Sequence, residues 1–290
     1  MSERTGLNRR NFLKLGSLAA ATIPAAAVAG EIINAGPSTK QPDLSVFNRF
    51  DFDYPPIGIK FALKKPDQTP PIKDKAAFCE MIKIAQEGES FYAAKEDHEC
   101  KAALIPLGLS EPDPIFSSGQ VGPKLGVYAD ARANRNIYAN MYKVEKDTVK
   151  YVIFAPLDKL LFNPDLLIVT ASPYQAEIIL RAMSYRTGAA WNAKGTTVMG
   201  CVYLYLYPYV TGELNMMVTG LHHGMIARQL FPPGLLFLSI PYQIIPEITQ
   251  NLKEMEWDLP QYSGGKEAHI ERMKRISTEL HKEFNIPGSD

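Results

Sequence analysis

Two near-continuous apolar runs, residues 151–155 (Tyr-Val-Ile-Phe-Ala) and 166–170 (Leu-Leu-Ile-Val-Thr), constrain this chain most. Runs this short and unbroken, separated by a loop with Pro156, Asn163 and Pro164, read as strands buried on both faces. Strands buried on both faces need cover on both, so helices must pack against the sheet. The next segment supplies one. Ser172 is an N-cap, Pro173 takes the first helical position and Gln175 closes a capping box. Ala176, Ile179, Leu180 and Met183 recur at helical spacing as its core face, and Gly188 ends it. Arg181 and Arg186 fall in its second half, toward the negative end of the helix dipole.

Further elements follow the same logic. Residues 57–61, after Pro55 and Pro56, form a short strand. A helix is expected over 76–87, with Phe78, Met81, Ile82 and Ala85 buried, Cys79 at the edge of that stripe and Gly88 as C-terminal cap. Residues 201–207 alternate strictly and predict a strand with Tyr203, Tyr205, Tyr207 and Tyr209 on one face and Val202, Leu204 and Leu206 on the other. Another buried strand is expected over 235–240 and a helix over 246–255. A final amphipathic helix over 266–284 turns Ile270, Met273, Ile276, Leu280 and Phe284 inward. Strands and helices mix without strict βαβ alternation or internal repeat. This predicts an α+β fold, a single domain with a mixed sheet and packed helices. With 290 residues, 46% apolar, the chain is ample for one core. The Gly- and Pro-rich stretch 106–124 reads as a boundary or a functional loop.

Arg9 and Arg10 are followed by Asn11-Phe12-Leu13-Lys14 and an alanine-rich apolar stretch to Ala29. This is a basic region ahead of a short apolar one, as in a secretory signal, and the arginine pair resembles the twin-arginine export motif. The apolar stretch falls short of the roughly 20 residues that span a bilayer. Ala27 and Ala29 offer a cleavage site. The expected organisation is a twin-arginine signal peptide over 1–29, a linker over 30–50, an α+β domain over 51–258 and the C-terminal helix over 259–290. Periplasmic or extracytoplasmic localisation follows, with no membrane span after cleavage. Twin-arginine export carries folded proteins, which raises the expectation of a cofactor inserted beforehand. Loss of residues 1–29 leaves 27 basic and 30 acidic groups, a net of −3. Such a surface argues against nucleic acid as a partner.

Dinucleotide, Walker, HExxH and GxSxG motifs and C-x-x-C-H haem attachment are all missing from the sequence. Three cysteines in a chain this long exclude a disulfide-rich scaffold. Cys79 stands in Phe78-Cys79-Glu80-Met81, Cys100 follows Glu96-Asp97-His98-Glu99, and Cys201 follows the glycine-flanked stretch 195–200.

These residues carry a family resemblance. Pro56-Ile57-Gly58-Ile59-Lys60-Phe61, Phe78-Cys79, Gly88 with Ser90-Phe91-Tyr92, Cys100, and Leu107-Gly108-Leu109 resemble the first half of domain of unknown function family 169. Val152-Ile153-Phe154-Ala155-Pro156-Leu157, Pro164-Asp165, Gln175-Ala176, Tyr185 with Thr187-Gly188, Gly200-Cys201 and Ile240-Pro241 resemble its second half. The resemblance covers roughly residues 50–255. It implies that cysteines at all three positions belong to the family pattern; it implies no substrate or activity. The chain departs from the typical member in its export signal and C-terminal helix.

Three thiolates are soft ligands, suited to an iron–sulfur cluster with one iron open, or to zinc with a fourth histidine or water. The sequence alternatives are three inert core thiols, or one disulfide and a spare thiol. The expected function is therefore an extracytoplasmic cofactor-binding protein. It would hold an iron–sulfur cluster or another metal through Cys79, Cys100 and Cys201, with a redox role and a redox partner protein. The competing expectation is a cofactor-free interaction protein using the tyrosine-lined strand face. His98, His222 and His223 are candidate fourth ligands. Lys60 and Arg228 are candidates for anion contacts, with surface solvation and an exposed ion pair as the plainer readings.

Overall fold

The structure, a computed structural model, describes residues 42–286, which belong to one compact unit. The expected signal peptide lies outside the described residues. Six strands form one sheet: β1 (Tyr54–Ala62), β2 (Phe91–Ala94), β3 (Tyr151–Pro156), β4 (Leu166–Ala171), β5 (Asn215–Val218) and β6 (Leu236–Pro241), in the order β2-β3-β1-β4-β6-β5. The fold is α+β. Every pairing between these strands is antiparallel, so the sheet is not mixed; parallel pairing is confined to isolated bridges such as Ala76 with His98.

Register explains why the central runs read as continuously apolar. Phe91, Phe154, Ile59 and Leu166 stand opposite one another across β2, β3, β1 and β4, and all are buried in one core. One residue along, Leu167 opposite Ile240 faces a second core on the other side of the sheet. Both faces are dry, so polar alternation disappears. Between them, Gly58 lets the β3–β4 connection lie directly on β1: a Cβ there would come within 2.5 Å of Leu160 and 3.1 Å of Pro164.

The first core is covered by α1 (Phe78–Gln86), α2 (Lys101–Leu104) and α5 (Gly200–Thr211). The second is covered by α4 (Pro173–Ser184), α7 (Ile245–Glu254) and a 3-10 helix, Leu44–Arg49. That 3-10 helix lies inside the stretch expected as a linker, yet it buries Val46 and Phe47, and Phe50 beyond it stacks on Trp257 at 4.2 Å. The α4 capping box forms as expected: Gln175 N–H donates to Ser172 Oγ and Ser172 N–H to Gln175 Oε1. Its Ala176, Ile179 and Leu180 are buried. Between α2 and β3 the chain makes a helical excursion through turns at Pro114–Ser117 and Val121–Lys124 and then α3 (Ala131–Asn140).

Two further expectations are corrected. Residues 201–207 are not a strand but the first part of α5. Tyrosine and aliphatic residues alternate there, but both kinds can be buried, so the alternation has no polar face to anchor it. A helix apolar all round is a buried helix, and α5 is enclosed: Val202, Leu204, Tyr205, Leu206 and Tyr207 are all buried. Gly212, with φ of 73°, closes it by donating its N–H to the Pro208 carbonyl. The tyrosines therefore share no strand face. The second correction concerns the last helix, α8 (Gly265–Glu283). It forms, but Ile270, Met273 and Leu280 are 42%, 50% and 44% exposed. Periodicity identifies an apolar stripe; it does not identify what the stripe meets. The turn Pro260–Ser263 just before α8 is its main neighbour.

Candidate functional site

The three cysteines come from distant parts of the chain to one region of the first core. Cys79 and Cys201 are buried within that core, and Cys100 packs against it, partly exposed. Each thiol lies within electrostatic reach of the other two. Their elements meet through Phe78, one residue before Cys79, whose ring stacks on Tyr205 of α5 at 3.9 Å. Cys79 and Cys201 each occupy the second position of a long helix, α1 and α5. Cys100 immediately precedes α2.

Amide dipoles in a first helical turn favour anionic sulfur, while burial opposes it. Here burial prevails. The Cys79 thiol is pushed up to about 11, with the Arg228 guanidinium pulling the other way. Burial also raises the Cys201 thiol strongly, with the two neighbouring thiols adding to the effect. Both are protonated at neutral pH and are poor nucleophiles in this state. All three cysteines are free thiols, so no disulfide joins them. The Tyr205 hydroxyl, one turn beyond Cys201, is fully buried; it lies in reach of the Cys201 thiol but makes no well-formed hydrogen bond. Among the described residues, no three His, Cys, Asp or Glu side chains are grouped as ligands of a single metal ion.

One short segment clamps all three cysteine-bearing elements. The His222 ring accepts a hydrogen bond at Nε2 from the Cys201 N–H, 2.9 Å away. It thereby caps α5, whose own N-cap residue Met199 supplies no side-chain bond. Burial holds this imidazole down at about 4, so it is neutral with one ring lone pair; the shorter contact, from Cys201, takes it, and the Gly224 N–H stands 3.2 Å from Nδ1. Gly200 is required for the contact: a Cβ there would stand 2.0 Å from His222 Cδ2. Six residues on, past α6 (His223–Ala227), Arg228 pairs with Glu80 at 3.3 Å and Glu99 at 3.8 Å, the residues beside Cys79 and Cys100. Glu80 also caps α1, accepting from the Ala77 N–H at 2.6 Å.

The other sequence candidates are placed as follows. His98 is buried beside Phe78, with both ring nitrogens unpartnered and its pKa pushed down to about 4 by burial. His222 is committed to the cap. Lys60 donates to the Asn163 carbonyl at 2.9 Å. Arg228 is a half-buried bridge between two glutamates rather than an exposed pair. The sequence did not reveal Tyr205 as a neighbour of the thiols, nor Glu80 and Glu99 as partners of Arg228. A glutamate adjoining two of the three cysteines was the available signal, but its partner lies more than a hundred residues away.

The sequence profile of the family described as DUF169, uncharacterised ArCR, matches residues 48–251. The chain belongs to this family. The DUF169 match contains all three cysteines, the whole sheet and the 222–228 clamp, and stops before α8. A relative among curated proteins, the uncharacterized protein MJ0308 of Methanocaldococcus jannaschii, is 29% identical over 147 residues. That match spans 49% of this chain and 62% of the relative's length. No solved structure matches.

Proposed function

We propose that this DUF169 protein holds an iron–sulfur cluster, or another thiolate-bound metal, through Cys79, Cys100 and Cys201 and serves a redox role outside the cytoplasm. The observation that carries the reading is the meeting of three thiols, 21 and 101 residues apart in sequence, in one core region. Inert core cysteines have no reason to converge. A multi-iron cluster is favoured over a single zinc ion, because its thiolate ligands are spread more widely and, among the described residues, no three ligands are grouped for one ion. Loading the site requires loss of the protons that burial holds on Cys79 and Cys201, so binding releases protons and strengthens as pH rises. His98, buried with both ring nitrogens unpartnered, is the non-cysteine donor available beside Phe78.

The test is anaerobic purification of the full chain, reconstitution with ferrous iron and sulfide, and analysis of both elements. Wild-type protein should retain iron and acid-labile sulfide with a visible charge-transfer band, and Cys79→Ser, Cys100→Ser and Cys201→Ser should each lose most of it. Wild-type protein that retains neither element would overturn the proposal, as would three serine variants that bind as well as the parent. Export is tested separately. Arg9→Lys combined with Arg10→Lys should hold the protein in the cytoplasm, and undiminished export of that variant would refute the twin-arginine assignment.

A further inference from the structure

We propose that the cleft beneath the helical excursion between α2 and β3 binds a small organic monoanion with an apolar body, of the alkyl or arylalkyl carboxylate class. The cleft encloses about 550 Å3, within the range of pockets that take small molecules. Ile105, Phe116, Met141 and Val144 supply apolar walls. The Phe116 ring meets Tyr138 edge-on at 6.2 Å, which fixes one wall as an aromatic pair.

Charge sets the ligand's sign. Of the charged lining residues, Lys146 is held by Glu111 at 2.8 Å. That leaves Arg135 and Lys143 against Glu145, a surplus of one positive charge. Arg135 donates to the Ser118 carbonyl at 2.8 Å and lies in electrostatic reach of Asp130, outside the cleft, which Arg132 answers more strongly; among the described residues neither Arg135 nor Lys143 forms an ion pair. A carboxylate answers one surplus charge; a phosphate dianion would leave one negative charge unanswered beside Glu145. Tyr138 also lies within electrostatic reach of the Cys100 thiol. The Tyr138 wall of the cleft therefore faces the region of the most accessible of the three cysteines. Binding itself does not depend on the cluster reading.

The experiment is calorimetric titration of the full chain, before any iron is added, with octanoate, 4-phenylbutyrate and uncharged octanol. At least one carboxylate should bind saturably and at least tenfold more tightly than octanol. Arg135→Gln combined with Lys143→Gln should erase that difference. Both side chains are exposed, and circular dichroism checks that the variants fold. Arg135→Lys keeps the charge while altering the bond to Ser118 and should stay within about threefold of wild type. Ala139→Trp, which fills the cleft, should abolish binding. Absence of saturable carboxylate binding, or equal affinity for octanol, would overturn the proposal. So would a loss in Arg135→Lys as large as in the double glutamine variant, which would mark a structural role only, or undiminished binding by folded Ala139→Trp. Each result reads the cleft alone, so failure here and failure of the cluster remain distinguishable.

Discussion

Gly200→Ala tests the geometry at the start of α5 because two effects oppose each other there. Alanine is the better helix former, by about 1 kcal/mol, and Gly200 has no left-handed backbone to forbid it. Against this, the new methyl would stand 2.0 Å from Cδ2 of a buried ring that cannot swing into solvent. Overpacking of this kind costs about 1–3 kcal/mol. Displacing the ring also breaks the 2.9 Å bond from the buried Cys201 N–H, worth about 1–3 kcal/mol when the donor is left unpartnered. The clash and the lost cap outweigh propensity, and Gly200→Ala should destabilise by about 2–4 kcal/mol. Urea unfolding should show a lower midpoint with an unchanged slope. In a His222→Ala background the ring is gone, so Gly200→Ala should be neutral or stabilising by up to about 1 kcal/mol. A wild-type background in which Gly200→Ala is neutral, or purely additive with His222→Ala, would mean that the imidazole does not cap α5.

Three further expectations follow from the same structure. Leu180, buried in the second core, should cost about 2–5 kcal/mol when replaced by alanine, and a loss near zero in chemical denaturation would contradict its packing. His98 and His222 titrate at about 4 when folded against an ordinary 6.5, so the unfolded chain binds more protons between those values. Stability should be flat above about pH 6.5 and fall toward pH 4, by up to about 3 kcal/mol per histidine. His98→Phe should flatten that slope without loss at pH 7, and an unchanged slope would show that the ring is not buried neutral. In metal-free protein at pH 7, iodoacetamide should label Cys100 well before Cys79 and Cys201, read by mass spectrometry; equal rates would contradict the burial of the latter two.

The sequence by itself determined the elements whose signals are local. The Ser172–Gln175 capping box, the apolar stripe of α1 ended by Gly88 and the dry strands β3 and β4 depend on neighbours in the chain, and they stand where the pattern put them. The motifs carrying the family resemblance were equally local, which is why DUF169 membership was legible. The edge strands β2 and β5, four residues each, were too short to give a periodic signal. Tertiary structure alone decided the rest. Residues 201–207 became a helix because burial on every side removed the polar face that distinguishes one period from another. The stripe of α8 stayed exposed because periodicity fixes a face and not its neighbour. The site shows the same division: the cysteine positions were legible, but their convergence was not. That convergence depends on Phe78 stacking on Tyr205, on Arg228 reaching Glu80 and Glu99, and on an imidazole reaching the N–H of Cys201 over the space that Gly200 leaves open. Long-range contacts of this kind are set by shape and burial, which the chain acquires only once both faces of its sheet are covered.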